Sequence, residues 1–151
     1  MGYALRKLAR RAHSEGELSR KMQRAGYSEI EIRKTLDELR ARRYIDDAAF
    51  ARERARRWAE DKCWGPARIA RGLRHRGLEE SDIAGALAEI FPTGEDEQAK
   101  RALIRYRRVT RQRISGEAAR ARAYRHLLAR GFSSAAILSA LRGSSREDES
   151  S

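Results

Sequence analysis

Apolar residues recur at helical spacing around three glycines that divide the chain at nearly regular intervals, Gly26, Gly77 and Gly131. In each copy an apolar residue stands four and eight positions before the glycine, and one, six and ten positions after it. Apolar residues four apart share one face of a helix, and a glycine just beyond them can end that helix in the left-handed conformation. The pattern therefore predicts two helices joined by a glycine turn, repeated three times. The matching positions are Leu18, Met22, Tyr27, Ile32 and Leu36; Ile69, Leu73, Leu78, Ile83 and Leu87; and Ala123, Leu127, Phe132, Ile137 and Leu141.

A further amphipathic helix is predicted ahead of each pair, over residues 3–12, 47–62 and 95–109. Side chains that cap helix N-termini stand at several of the predicted starts. The capping candidates are Ser14 with Glu17, Ser28 with Glu31, and Asp46 or Asp47. The apolar faces of the three preceding helices are Leu5, Leu8 and Ala12; Phe50, Ala51 and Trp58; and Ala99, Leu103 and Tyr106.

These elements predict an all-α fold of three tandem three-helix repeats that form an elongated, curved array. The expected divisions are residues 1–45, 46–91 and 92–142. Residues 143–151 are polar and lack apolar periodicity, so we expect them to be a disordered tail. In such an array each repeat packs on its neighbours, and the body extends as a rod.

The charge of the chain is strongly positive and unevenly distributed. The net charge is +12, and arginine supplies 29 of the 34 basic residues. Residues 1–45 carry 12 basic and 6 acidic groups, residues 46–91 carry 9 of each, and residues 92–142 carry 12 and 4. A GC-rich genome would explain the preference for arginine over lysine, but it would not explain the net charge. A field of this size favours a polyanion or an acidic protein surface as the partner.

The middle helix of each repeat places arginine opposite its apolar face. At 100° per residue, the position six before the glycine points away from the core, and it holds Arg20, Arg71 and Arg125. Such a row suits phosphates or acidic side chains, although an ordinary solvated helix face would have the same pattern. The further candidates on the outward face are Arg24, Arg68 and Arg122, with His75.

Catalytic and metal-binding patterns are absent from the sequence. The three histidines are scattered singly and are interpreted as surface or boundary residues, without the paired spacing of a metal site. Cys63 is the only cysteine and is interpreted as a small packed residue. No apolar run approaches the roughly 18 residues of a membrane span. We therefore expect a soluble, cytoplasmic protein that is not an enzyme and needs no cofactor or metal.

Aromatic residues offer a second route to nucleic-acid binding. Trp58, Trp64 and the five tyrosines could stack on bases. Their spacing relative to the helix faces favours packing in the core or between repeats, with Tyr124, beside the apolar stripe, as the exception.

Four segments of the chain resemble the RecX family of regulatory proteins. They are ALRKLARRAHSEGEL at 4–18, YIDDAAFAR at 44–52, WGPARI at 64–69 with Leu73 and 76–78, and LLARGFS at 127–133. Together they extend the resemblance over about residues 3–142. Gly72 departs from the family, which usually has an acidic residue there, so a salt bridge made by that acid should be missing.

The resemblance implies a non-enzymatic regulator of the RecA recombinase. RecX proteins bind RecA, lie in the groove of its filament on DNA, and inhibit ATP hydrolysis and strand exchange in recombination and DNA repair. The expected partners are thus the RecA filament and DNA, single-stranded within the filament, with no membrane partner, and the chain is expected to be a monomer. The outward arginines would contact filament acids or the enclosed DNA. The main alternative is a basic helical protein that coats DNA without a recombinase partner, and a nucleic-acid enzyme would need grouped acidic ligands that the sequence lacks.

Overall fold

The protein is all-helical, as predicted, and the helices follow the expected order. The computed structural model describes the backbone of residues 1–149 and the side chains of residues 1–144. The first repeat contains α1 (Gly2–Leu8), α2 (Glu15–Arg24) and α3 (Glu29–Ala41). The second contains α4 (Asp47–Lys62), α5 (Pro66–His75) and α6 (Glu80–Ile90), and the third contains α7 (Asp96–Thr110), α8 (Glu117–Ala129) and α9 (Ser134–Glu149).

Each repeat encloses a small hydrophobic core of its own. Every apolar position of the repeated pattern is buried or half-buried, because the spacing places it on the inner face of its helix. Leu18 and Met22 anchor the first core, Ile69 and Leu73 the second, and Leu127 the third, all with 0 % exposure. The predicted divisions at 45/46 and 91/92 remain predictions, although these three cores lie on either side of them.

The helix that opens the first repeat is shorter than predicted. It ends at Leu8 rather than at residue 12, and Ala4 and Leu8 form its packed face. Leu5 is 37 % exposed and Ala12 is exposed, so the predicted apolar face was wrong at these two positions. The chain must leave the helix here because Ser14 adopts an extended conformation to cap α2.

The capping residues behave largely as the sequence predicts. Ser28 and Glu31 form a complete capping box at the start of α3, and Asp46 is the N-cap of α4. Ser14 accepts a hydrogen bond from the Glu17 amide, but the Glu17 side chain turns away to Arg76. The second half of the box predicted at Ser14 is therefore replaced by a contact between repeats.

Neighbouring repeats meet where the end of one middle helix contacts the start of another. Gly16 in α2 lies against Gly77, which follows α5, and Gly65 before α5 lies against Gly131, which follows α8. A Cβ atom added at Gly16 would lie 2.5 Å from the Gly77 carbonyl oxygen, and one at Gly65 would lie 2.6 Å from the Gly131 oxygen. Both joints are thus contacts of main chain on main chain that leave no room for a side chain.

Hydrogen bonds at both joints satisfy carbonyl groups at the helix C-terminus, which have no partner within the helix. At the first joint the hydroxyl of Ser14 donates to the Arg76 carbonyl. At the second, the Gly65 amide donates to the Arg130 carbonyl over 2.7 Å. The C-terminus of one helix dipole therefore meets the N-terminus of the next, which is the favourable arrangement.

The linear order of the joints produces an extended body. The first repeat packs on the second and the second on the third through these joints. The accessible surface of 9779 Å² exceeds by about a quarter the roughly 7,800 Å² expected for a compact protein of this mass. The elongation of the array is consistent with this surface, and its curvature remains a prediction.

The predicted disordered tail is largely helical. The helix α9 continues to Glu149, so residues 143–149 belong to it, and residues 150–151 lie outside the described chain. The continuation is anchored at Ser144, which is 8 % exposed and accepts a hydrogen bond from Arg107 over 3.3 Å. The absence of apolar periodicity was misleading because it gives no sign of the polar contact that Ser144 makes with α7.

Gly72 also has a structural explanation. A Cβ atom at this position would lie 2.7 Å from the ring of Trp58. The glycine therefore lets the Trp58 ring lie against the α5 backbone, where it also contacts Trp64 at a centroid distance of 4.9 Å. The expected cost of about 1 kcal/mol for a glycine within a helix is offset by this aromatic packing.

Candidate functional site

The six candidate arginines lie on the surface, but they have different surroundings. Arg20, Arg71 and Arg125 are exposed, as the helical spacing predicts. Of the flanking candidates, Arg24 and Arg122 are exposed and Arg68 is half-buried. Their roles as contacts to a filament or to DNA remain predictions.

Arg20 and Arg68 take part in the joints between repeats. Arg20 donates to the His75 carbonyl over 2.8 Å, and Arg68 donates to the Ala129 carbonyl over 3.2 Å. Each of these carbonyls lies two residues before the glycine of its joint, so the two arginines have equivalent roles. Sequence spacing could not reveal this role because each arginine and its acceptor belong to different repeats.

Arg68 also packs on an aromatic ring. Its guanidinium lies 4.2 Å from the centroid of the Trp64 ring, a cation–π contact. Burial lowers the pKa of Arg68, and the nearby Arg130 and Arg71 lower it further. The side chain is thus held in place within a cluster of like charges at the second joint.

Arg71 and Arg125, in contrast, have side chains available to a partner. Neither makes a side-chain hydrogen bond or an ion pair within residues 1–144. Arg125 borders an open, largely apolar groove of about 500 Å³ between α8 and α9, beside Tyr124, Leu138 and Leu141. Tyr124 was expected to be the exception to aromatic packing, but it is half-buried and packs against the core of the third repeat, because it lies at the edge of the apolar stripe.

A larger cavity opens beside the first joint, and we call it the cationic cavity. Its volume is about 630 Å³, and it lies between the first and second repeats. Six of its lining residues carry a positive charge and only one carries a negative charge. The lining residues are Arg11, Glu17, Arg20, Lys21, Arg24, Arg54, His75 and Arg76.

Glu17 is the single carboxylate of the cationic cavity, and the surrounding cations bind it. Its oxygens lie 3.0 Å from Arg76 and 3.6 Å from Arg11, and 3.2 Å from Nδ1 of the buried His13. Burial alone would raise the pKa of Glu17, but Arg11 and Arg76 outweigh it, and the pKa is lowered. Glu17 is therefore ionised and already committed to partners within the protein.

His13 differs from the sequence-based interpretation. It was expected at the surface or boundary of the protein, but it is only 5 % exposed. Burial and the nearby Arg11 lower the pKa of His13, although Glu17 acts in the opposite direction.

Arg54 is a cation of this cavity that packs against aromatic rings. It is half-buried, and within the described residues its guanidinium has no hydrogen-bonded or ion-pair partner. It lies 5.6 Å from the ring centroid of Phe50 and 5.8 Å from that of Trp58. Burial lowers the pKa of Arg54, and the neighbouring Arg76 adds to this effect. The sequence did not single out Arg54, because only the fold brings it beside Arg76 and α2.

The aromatic residues mostly pack, as predicted, with one clear exception. The ring centroids of Tyr3 and Tyr27 are 5.5 Å apart, and those of Tyr106 and His126 are 4.7 Å apart. Tyr44 is 54 % exposed, so the expectation of packing was wrong there. The reason is that Tyr44 lies in the connection between α3 and α4, where no neighbouring helix covers its ring.

Other kinds of site have no candidate among the described residues. Within that part of the chain, no group of three or more His, Cys, Asp or Glu side chains could hold a metal ion. Nor is any helix there long and apolar enough to cross a membrane. Cys63 ends α4 and packs against the core of the third repeat, in agreement with its interpretation as a packed residue.

The fold and this surface together define an all-helical repeat protein with arginine-rich joints and a cationic cavity. Sequence models of the RecX family match two parts of the chain: its first three-helix domain matches residues 1–39, and its second matches residues 46–87. The chain is 35 % identical to the regulatory protein RecX of Thermus thermophilus over 153 residues, covering 99 % of this chain and 94 % of that protein. It is 33 % identical to the regulatory protein RecX of Leptothrix cholodnii, covering 98 % and 90 %.

Solved structures agree with these relatives. A crystal structure of a regulatory protein RecX superposes with a TM-score of 0.78 at 27 % identity, covering 93 % of this chain and 69 % of that one. RecX from Lactobacillus salivarius has the same fold, with a TM-score of 0.82 at 19 % identity over 95 % and 93 % of the two chains. The chain belongs to the RecX family of regulatory proteins.

Proposed function

We propose that this protein binds the filament that a RecA recombinase forms on DNA and inhibits its ATP hydrolysis and strand exchange. The observation that carries the proposal is the similarity, over nearly the whole chain, to proteins named regulatory protein RecX. The protein acts by binding and catalyses no reaction of its own.

The physical basis of the proposal is the combination of an extended shape with exposed arginines. An array of three repeats can contact more than one subunit of a helical filament at the same time. Arg71 and Arg125 are exposed and without side-chain partners in the described part of the chain. They therefore suit acidic side chains of the filament or phosphates of its DNA. A rod bound across subunits would oppose the rearrangements that accompany ATP turnover.

The second candidate function is a protein that coats DNA without a recombinase partner. The net charge of +12 favours it, because cations in such numbers bind phosphates of any sequence. This alternative predicts that inhibition needs enough protein to cover the DNA lattice, and that excess DNA relieves it.

The DNA-dependent ATPase of the cognate RecA distinguishes the two functions. We expect inhibition when the protein is far below the amount needed to cover the DNA. Inhibition that appears only at lattice-covering amounts, and that disappears with excess DNA, would support the coating protein instead.

Charge reversal at the exposed arginines tests the contact surface. We expect Arg71→Glu with Arg125→Glu to weaken inhibition at least tenfold while leaving the helical content unchanged. Arg20 is unsuitable for this test because it supports the first joint. The matched control is Arg33→Glu with Arg113→Glu, which makes the same change in charge at exposed positions outside the middle helices. Equal effects of the two pairs would reject this surface.

A further inference from the structure

Two cavities adjoin at the first joint and share two arginines. The cationic cavity shares Arg11 and Arg54 with a second cavity of about 450 Å³, which we call the aromatic cavity. Half of the twelve residues that line the aromatic cavity are apolar or aromatic, among them Leu8, Tyr44 and Phe50. Its two carboxylates already have partners, because Asp46 caps α4 and Glu53 forms an ion pair with Arg57. Both volumes lie in the range of about 300–1,000 Å³ that is typical of ligand sites in proteins.

The cationic cavity holds an excess of positive charge that the protein itself does not neutralise. Its one carboxylate, Glu17, is already bound to Arg76 and Arg11. Lys21 and Arg24 make no side-chain hydrogen bond or ion pair within the described residues. Because like charges held together repel one another, an anion with several charged oxygens would relieve this arrangement.

The aromatic cavity offers flat apolar surface beside these cations. The ring of Tyr44 is 54 % exposed, and no hydrogen bond of its hydroxyl group fixes it within the described chain. Phe50 is half-buried, with the Arg54 guanidinium 5.6 Å from its ring centroid. A planar ring entering this cavity could therefore stack on Tyr44 while its charged neighbour contacts Arg54.

We propose that the two cavities together bind single-stranded nucleic acid, with backbone phosphates in the cationic cavity and an unpaired base in the aromatic cavity. Every nucleotide of a single strand carries a phosphate next to an unpaired base, which matches the two adjoining environments. In a duplex the bases are stacked and paired, so they cannot enter the aromatic cavity. An acidic peptide would need an aromatic residue beside its carboxylates in one particular order. The site deepens the proposed function, on which it rests for its biological setting, by assigning nucleic-acid contact to the first joint.

The phosphate contacts are tested by fluorescence anisotropy with a labelled thymidine oligonucleotide of about 15 nucleotides and no recombinase. The test variant is Lys21→Gln with Arg24→Gln, whose side chains make no hydrogen bond or ion pair within the described residues. Removing two phosphate contacts to a single strand should lower the slope of log affinity against log salt by about 1.4. At 0.1 M salt this corresponds to a reduction of about 25-fold in affinity.

The matched control removes the same two charges elsewhere. Arg33→Gln with Lys34→Gln alters an exposed arginine and lysine on α3, outside both cavities. We expect it to reduce the affinity less than about threefold, through the change in net charge alone. Equal reductions in the two variants would overturn the proposal, because binding would then follow net charge and not the cavity.

The base contact is tested separately at Tyr44. Tyr44→Ala should lower the affinity for the oligonucleotide on the order of tenfold, whereas Tyr44→Phe, which keeps a ring, should retain it. An abasic oligonucleotide of the same length should bind the wild-type protein about tenfold more weakly, and Tyr44→Ala should abolish that difference. If both substitutions leave the affinity unchanged, or if the abasic strand binds as tightly, no base enters the aromatic cavity and the proposal fails.

Competition identifies the occupant. A polyglutamate peptide that matches the oligonucleotide in number of charges should displace it only at much higher concentration than unlabelled oligonucleotide does. Displacement at equal concentration would assign the cavities to an acidic protein partner and overturn the proposal. Because the assay contains no recombinase, its failure is distinguishable from failure of the proposed function, which the RecA ATPase tests alone.

Discussion

Replacing Gly16 by alanine tests whether the first two repeats touch through their main chains. Gly16 lies within α2 and has no positive φ, so alanine fits the local backbone and by helix propensity alone would stabilise it by about 1 kcal/mol. The added Cβ would lie 2.5 Å from the Gly77 carbonyl oxygen and 2.8 Å from its Cα, whereas ordinary contact begins at 3.4 Å. Both atoms belong to the main chain, so no side-chain rotation can relieve the overlap. The two repeats would have to separate by nearly the whole of this difference.

Moving the two repeats apart should destabilise the protein by more than the higher helix propensity of alanine stabilises it. Overpacking of a filled site costs about 1–3 kcal/mol. The same movement would stretch the hydrogen bond of 2.8 Å from Arg20 to the His75 carbonyl and the ion pair of 3.0 Å between Arg76 and Glu17. With the gain of about 1 kcal/mol subtracted, we expect Gly16→Ala to lower the free energy of unfolding by up to about 2 kcal/mol.

The assay is urea unfolding followed by far-UV circular dichroism, with Gly85→Ala as the matched control. Gly85 also lies within a helix, α6, but a Cβ there would meet no atom within 4 Å. Gly85→Ala should therefore raise the free energy of unfolding by about 1 kcal/mol. If Gly16→Ala stabilised the protein as much as Gly85→Ala, the main-chain contact at the first joint would be refuted.

Two further predictions concern charged groups at the same joint. Burial raises the pKa of Asp47 to about 6, and Glu15 and Asp82 add to the effect. The folded state therefore binds this proton more tightly than the unfolded state, whose pKa is about 3.9, and stability decreases as the pH rises from about 4 to above 6. Asp47→Asn should remove that decrease, raising stability at pH 8 by up to about 3 kcal/mol and leaving it unchanged near pH 4; thermal melts with the same pH dependence in both proteins would contradict this. Arg76→Gln should lower the free energy of unfolding by about 1–3 kcal/mol, because it removes the nearest cation from Glu17, whose side chain is only 10 % exposed. A double-mutant cycle with Glu17→Gln measures this coupling, and additive effects would show that the pair contributes nothing.

The sequence predicted the helices well because each depends on residues close together in the chain. Leu18 and Met22 share a helical face whatever surrounds them, and Ser28 caps α3 through a residue three positions away. The first helix was predicted too long because Leu5 and Ala12 fit the period, whereas the N-cap role of Ser14 ended the helix early.

The candidate site was harder to predict because it depends on contacts distant in sequence. Arg20 was correctly placed on the outer face, but its hydrogen bond to the His75 carbonyl joins residues 55 positions apart. Arg54 carries no signal in the sequence, since its importance comes from the fold that brings it beside Arg76. The exposure of Tyr44 was likewise missed, because the pattern of a connecting segment does not show which helices pass over it.

The stacking of middle helices gives the array a direction for growth. The helices α2 and α5 begin at equal distances before their glycines, whereas α8 begins about one helical turn earlier relative to Gly131. That extra turn distinguishes the start of α8 from the helix starts against which Gly77 and Gly131 pack. At the opposite end, Gly26 has a φ of 89° and nothing within 4 Å of its Cβ direction. To lengthen this protein, a new repeat should therefore be fused upstream of Met1, because Gly26 is open to contact the start of its middle helix.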